Sequence, residues 1–307
     1  MDRAMARGVA AACGAQCILG ASAAVSALLV KYPVFGAQAI RYTVAALILV
    51  GIARARGLRF VPLDRRDTLR LLLLAMTGLV GFNVCIQLSL RYTAPTTLGT
   101  LIACTPVVLA LVTPLLERER PSLQLLGAGA LVSSGAAITQ GFGGGHPLGF
   151  LFASGALAGE VLFSLLAVPL LPKLGPFRLS AYLCVVAIPM FLALGLIVDG
   201  SNVVRVPTRI ELASLIYLTV VLSALAFLLW YSGLSRLGAE RAGLFTGIVP
   251  IVAAATSALL GTGRPGVVEL VGAVLVGAGV VAGLRAKPRA SREAPAHVCC
   301  EGLPQAE

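Results

Sequence analysis

The chain has 307 residues, of which 58% are apolar and only 12% charged, and its net charge is +11. Soluble domains carry about 25% charged residues, so half that share, with a mean hydropathy of +0.94, excludes a water-facing globular fold. The same numbers exclude disorder, which needs low hydrophobicity and high charge.

What remains is a polytopic membrane protein. A bilayer core of about 30 Å takes roughly 20 apolar residues as a helix. Ten such runs can be cut from the sequence: 8–30, 36–53, 71–90, 94–116, 123–140, 148–171, 176–198, 211–234, 239–261 and 266–284. They are rich in Ala, Gly, Leu and Val with internal Pro, which membrane helices tolerate. None shows the alternation of a barrel strand. The basic start at Arg3 and Arg7 loosely resembles a signal peptide, but the apolar run continues to position 30 and reads as a retained first helix. The predicted fold class is an all-α polytopic membrane protein with ten transmembrane helices.

Basic residues set the orientation. With the N-terminus in the cytoplasm, the cytoplasmic segments hold 18 Lys and Arg and the outer ones 5, with Arg41 inside the second run. The positive-inside rule therefore predicts two cytoplasmic termini, and the expected location is the plasma membrane. Spread over six segments, these charges label topology and give no patch for nucleic acid. Cys13, Cys17, Cys85, Cys104 and Cys184 lie in apolar runs, where Cys behaves as a small hydrophobe. Cys299 and Cys300 read as a reduced pair in a polar cytoplasmic tail, 285–307.

A shift of 144 residues brings the halves into register: Gly99 falls on Gly243, Pro106 on Pro250, Arg120 on Arg264, Pro121 on Pro265, Leu131 on Leu275 and Gly135 on Gly279. Each half holds five spans, an odd number, so the copies enter the membrane in opposite directions. Inverted repeats of this kind recur in secondary transporters, with the solute site near the midplane.

Arg41-Tyr42 in the second helix, Pro106 in the fourth, Leu116-Glu117-Arg118-Glu119-Arg120 after it and a Gly-rich fifth helix, recurring in part in the second half, form a recognisable pattern. It resembles the EamA-type transporters of the drug/metabolite transporter superfamily over roughly residues 8–284. The resemblance implies two EamA-like five-helix repeats, 8–140 and 147–284, and secondary transport of small metabolites, amino acids or drugs, with export the expected direction. One departure is that Glu119 has Gly263 as its counterpart.

A charge deep in the bilayer costs at least about 2.5–3.5 kcal/mol, so membrane acids are functional by default. Glu160 sits near the middle of the sixth run and is the candidate proton-coupling or amine-binding group; a protonated Glu bridging helices is the bland alternative. Gln16 is its partner at the 144-residue offset. Arg41 lies about five residues into the second run, where it attracts an anion, pairs with Glu160 or snorkels to the interface. Asn83 and Gln87, at i and i+4, share a helix face. Their offset partners Phe227 and Tyr231 share another, with Trp230 beside them and read as packing. Amides facing aromatics suit a small amphiphilic solute. Pro106 and Pro250 read as mid-helix kinks that free the carbonyls of Ile102 and Thr246 and allow gating. Gly155/Gly159, Gly243/Gly247 and Gly279/Gly283 are small-xxx-small pairs for close helix packing.

No phosphate-binding Gly-rich loop with its Lys occurs, so the chain itself is not expected to hydrolyse ATP. A membrane-embedded lipid-modifying enzyme needs clustered His or carboxylates; the histidines are His146 and His297, in a loop and in the tail. That enzyme and a non-transporting scaffold stand as alternatives, and the expectation is no enzyme and no cofactor or metal. The expected partners are a small-molecule solute and the lipid bilayer, with a homodimer left open and no nucleic acid.

Overall fold

The structure, a computed structural model, describes residues 3–29, 31–141, 144–259 and 266–286. The tail with His297, Cys299 and Cys300 and the second-half Arg264-Pro265 fall outside them. Among the described residues the fold is all-helical, with a lone β-bridge between Thr93 and Gly145.

The helices follow the apolar runs. In chain order they are α1 (Arg3–Ala27), α2 (Val34–Ala55), α3 (Arg65–Ala75), α4 (Phe82–Ser89), α5 (Pro95–Ile102), α6 (Thr105–Leu116), α7 (Leu123–Gln140), α8 (Pro147–Leu165), α9 (Leu171–Asp199), α10 (Arg209–Tyr217), α11 (Phe227–Gly243), α12 (Ile248–Leu259) and α13 (Val267–Arg285). Among the described residues, eight stretches are long and apolar enough to cross a membrane. One of them, Arg209–Thr256, is 48 residues long, about 70 Å as a continuous helix, and it breaks at Gly238, where φ is +75°. Helix α7 is 18 residues long and packs along α13. Side chains such as Leu47, Ile197 and Val274 lie exposed on the outside of the bundle. In water such a surface would aggregate; in hydrocarbon it is at no disadvantage.

Capping decides where α3 and α10 start. Asp64 accepts a hydrogen bond from the Asp67 backbone N–H at 2.7 Å. Thr208 and Glu211 form a reciprocal capping box. The two caps are 144 residues apart, as are Asp67 and Glu211. The third run was expected from 71, yet α3 begins six residues earlier. Its first turns carry Arg65, Arg66, Asp67 and Arg70, which a hydropathy cut discards. Between α3 and α4 lies a π-helical stretch, Met76–Gly81, and between α10 and α11 another, Leu218–Ala226.

Pro106 and Pro250 are not mid-helix. Pro106 is the second residue of α6, after a break at Ala103-Cys104, and Pro250 is the third of α12, after a 3-10 turn, Leu244–Gly247. Proline has no N–H and clashes with the preceding turn, so the chain ends one helix and restarts with Pro in the first turn of the next. The carbonyl of Ile102 is not free: Thr105 Oγ1 donates to it at 2.7 Å. Both prolines stand outside the cavity wall described below.

Packing relates the halves. Helix α1 packs on α11 and α12, α8 packs on α4 and α5, α2 on α9, and α7 on α13. The small residues stand where helices approach closely: a Cβ on Gly279 would lie 2.9 Å from the Ala128 carbonyl oxygen, and one on Gly159 3.0 Å from that of Thr77. The N-terminal end of the bundle is sealed by apolar packing that includes Ala12, Leu74, Leu170, Leu179 and Leu234, all at most 2% exposed. It is also tied by charge: Lys173 donates to Asp67 at 2.6 Å, Arg70 lies 3.6 Å from Asp67, and the Tyr182 hydroxyl donates to the Val61 carbonyl at 2.7 Å. At the far end Arg205 binds both oxygens of Glu211, and the Tyr32 hydroxyl donates to the Arg205 carbonyl at 2.8 Å.

Candidate solute cavity

A cavity of about 280 Å³ lies between α1, α2, α4, α8 and α11, with both π-helical stretches in its wall. It reaches Ser26, near the far end of α1, and so opens away from the sealed N-terminal end. Its polar lining comes from Gln16, Gln38, Arg41, Asn83 and Glu160, and its aromatic lining from Tyr42, Phe82, Phe163, Phe227 and Trp230.

The sequence-predicted residues divide here. Gln16, Arg41, Asn83 and Glu160 meet around one cavity. Gln87, one turn beyond Asn83, is half-buried and outside the wall. Tyr231 is fully buried behind the wall, stacked on Phe163 at 5.4 Å, while its neighbour Trp230, read as packing, lines the cavity. Gln38 escaped the sequence reading, although an amide three residues before Arg41 on α2 was a usable signal. Ser223 escaped it too, and a lone Ser in an apolar helix gives no signal.

Arg41 is 8% exposed, so it does not snorkel. It makes no ion pair with Glu160. Its Nη2 donates instead to Ser223 Oγ at 2.9 Å, and its guanidinium carbon lies 5.9 Å from the Tyr42 ring centroid. Its Nε is buried with no hydrogen-bond partner. Gln38 Nε2 donates to Asn83 Oδ1 at 2.7 Å, and Asn83 Nδ2 donates to the Leu79 carbonyl at 2.8 Å, which ties α2 to the third span across its π stretch. The Oε1 atoms of Gln16 and Gln38 are buried without partners. Glu160 is half-buried, and among the described residues no hydrogen bond or ion pair reaches its carboxyl group. The arrangement offers a solute one fixed cation, one titratable acid, amide side chains and aromatic faces. Among the described residues there is no cluster of His, Cys, Asp or Glu fit for a metal ion.

The 144-residue relation runs through the wall. Gln16 and Glu160 both line it, as do Gly78 and Leu222, and Asn83 and Phe227. Leu19 with Phe163 and Phe82 with Ala226 are further lining pairs at the same spacing.

A multi-pass helical membrane protein with an internal, solute-sized cavity of mixed polar and aromatic lining is the class that fold and site define. The EamA-like transporter family model matches residues 6–140 and again 147–284, and the chain belongs to that family. It is similar to the Bacillus subtilis (strain 168) protein named Uncharacterized transporter YetK, with 29% identity over 254 residues covering 80% of this chain and 77% of that one. It is also similar to Uncharacterized transporter YyaM of the same organism, at 24% over 247 residues covering 77% and 79%. A solved structure, described only as a crystal structure of a protein, shares the fold with a TM-score of 0.78 at 17% identity, covering 92% of this chain and 97% of that one.

Proposed function

We propose that the chain is a secondary transporter of small metabolites in the plasma membrane, working by alternating access as a proton-coupled exporter. Reading Arg209–Thr256 as two crossings and α7 as a crossing gives ten, in two inverted repeats, 8–140 and 147–284. The observation that carries the reading is the cavity wall, built largely of residues 144 apart in the two halves. A site at the interface of two nearly equivalent halves is open to one side or the other according to which half holds which conformation. With both termini cytoplasmic, as the basic residues argue, the described conformation faces outward and its sealed end is cytoplasmic.

Proteoliposomes holding the full chain and a trapped pH dye test this. A panel of amino acids, organic acids and drugs should contain solutes whose addition moves protons across the membrane, with no movement in empty vesicles. If no solute moves protons and none shows counterflow, the carrier reading is lost.

In this scheme the Asp67–Lys173 pair holds the cytoplasmic side shut. Lys173 is 40% exposed, so solvent screens the pair and its bias on the two-state equilibrium is small. Lys173→Ala should therefore slow labelling of a Ser26→Cys reporter by an impermeant maleimide from outside, by roughly two- to fivefold. Labelling that is unchanged or faster refutes the clasp.

A further inference from the structure

The cavity's fixed charge is poorly satisfied. A guanidinium stays protonated in any protein environment, and in a membrane a buried charge needs a partner. Arg41 has a single hydrogen-bond partner among the described residues, the neutral hydroxyl of Ser223, and no described carboxylate lies within 4.0 Å of it. Its Nε is buried and unpartnered. The Ser223 contact fixes the orientation of the planar group from one side. The remaining N–H groups match the geometry of a carboxylate, which a guanidinium binds through two parallel hydrogen bonds.

The rest of the wall suits what a carboxylate would carry. Phe163 and Phe227 pack at 5.5 Å between ring centroids, and Trp230 stands on the same wall. They present an apolar face to the solute's body, and the amide side chains of Gln16 and Gln38 stand on the same wall. At about 280 Å³ the space is at the lower limit of small-molecule sites, so the body is no larger than one or two rings. Resting on the carrier reading above, we infer that the solute is a small organic anion whose carboxylate binds Arg41 and whose apolar or aromatic body lies against Phe163, Phe227 and Trp230.

Trp230 is the protein's single tryptophan and lines the cavity, so its emission reports occupancy directly. The purified full chain is titrated with phenylacetate, its neutral amide phenylacetamide and the cation phenethylamine. Phenylacetate should give a saturable change in Trp230 emission at a concentration at least tenfold below that needed by the other two. Arg41→Gln should erase that preference, and Arg41→Lys, which keeps the charge but not the planar fork, should retain part of it. Thermal unfolding of each variant shows that it is folded. An amide or amine that binds as well as phenylacetate overturns the carboxylate assignment and leaves the cavity as a solute site. So does a wild-type preference persisting in Arg41→Gln. Silence of Trp230 to all three probes overturns the assignment and the cavity together.

Discussion

Glu160→Gln is expected to reduce proton-driven solute flux at least tenfold, to the level of empty vesicles, while folded yield and solute-for-solute exchange stay within about twofold of the parent protein. The substitution keeps shape and polarity and removes only the capacity to bind and release a proton. Nothing structural depends on the charge, since among the described residues no partner reaches the carboxyl group. The first half makes the same point: Gln16, at the equivalent position 144 residues earlier, already carries an amide on the cavity wall. Glu160→Gln thus makes the two halves chemically alike at this level, and a carrier with two amides has nothing there to couple to a proton gradient. Flux measured with and without an imposed gradient decides it. Proton-driven flux unchanged in Glu160→Gln removes Glu160 from the coupling step.

Much of this was legible in the sequence because the relevant physics is local or periodic. Hydrocarbon solvation forces a run of apolar residues per crossing, and the same demand repeated at a fixed spacing exposed the 144-residue relation. That relation pairs Gln16 with Glu160 and Asn83 with Phe227, and all four residues line the cavity. It does not separate neighbours on one helix face. Trp230 and Tyr231 stand three and four residues after Phe227 within α11, so both share its side of the helix, and spacing alone does not tell that Trp230 lines the cavity while Tyr231 is buried behind it. The prolines misled for a related reason. Helix interruption is a property of the residue, but whether the chain bends or starts afresh depends on capping groups, here Thr105 for the carbonyl of Ile102. The Gln38–Asn83 and Arg41–Ser223 pairs join residues 45 and 182 apart in the chain, and tertiary packing, such as that of α2 against Leu218–Ala226, brings them within reach.

Gly135→Leu should leave little or no monodisperse protein, and Gly135→Ala should lower the melting temperature by several degrees, because α7 and α13 touch backbone to backbone. A Cβ on Gly135 would stand 2.6 Å from the Gly272 carbonyl oxygen and 2.8 Å from Leu275 Cβ; one on Gly279, the equivalent of Gly135 in the other half, would stand 2.9 Å from the Val132 backbone nitrogen. Lipid tails are as apolar as Leu, so two membrane helices are held together by close packing rather than by burial from water, and small residues at the crossing permit it. A methyl group there forces the backbones apart, at about 1–3 kcal/mol for a rigid site, and an isobutyl group has no room at all. Gly277, also on α13, is the control: nothing lies within 4 Å of a Cβ built on it. Gly277→Ala should leave the melting temperature unchanged or raise it slightly, since Ala is the better helix former by about 1 kcal/mol. The two Ala variants differ only in whether the added methyl meets a neighbouring helix. Equal melting temperatures for both would show that the α7–α13 crossing is looser than its geometry. The cavity wall includes neither helix, so the Gly135→Ala protein that does fold should bind phenylacetate with unaltered affinity, and weaker binding would mean that this crossing holds the solute site in shape.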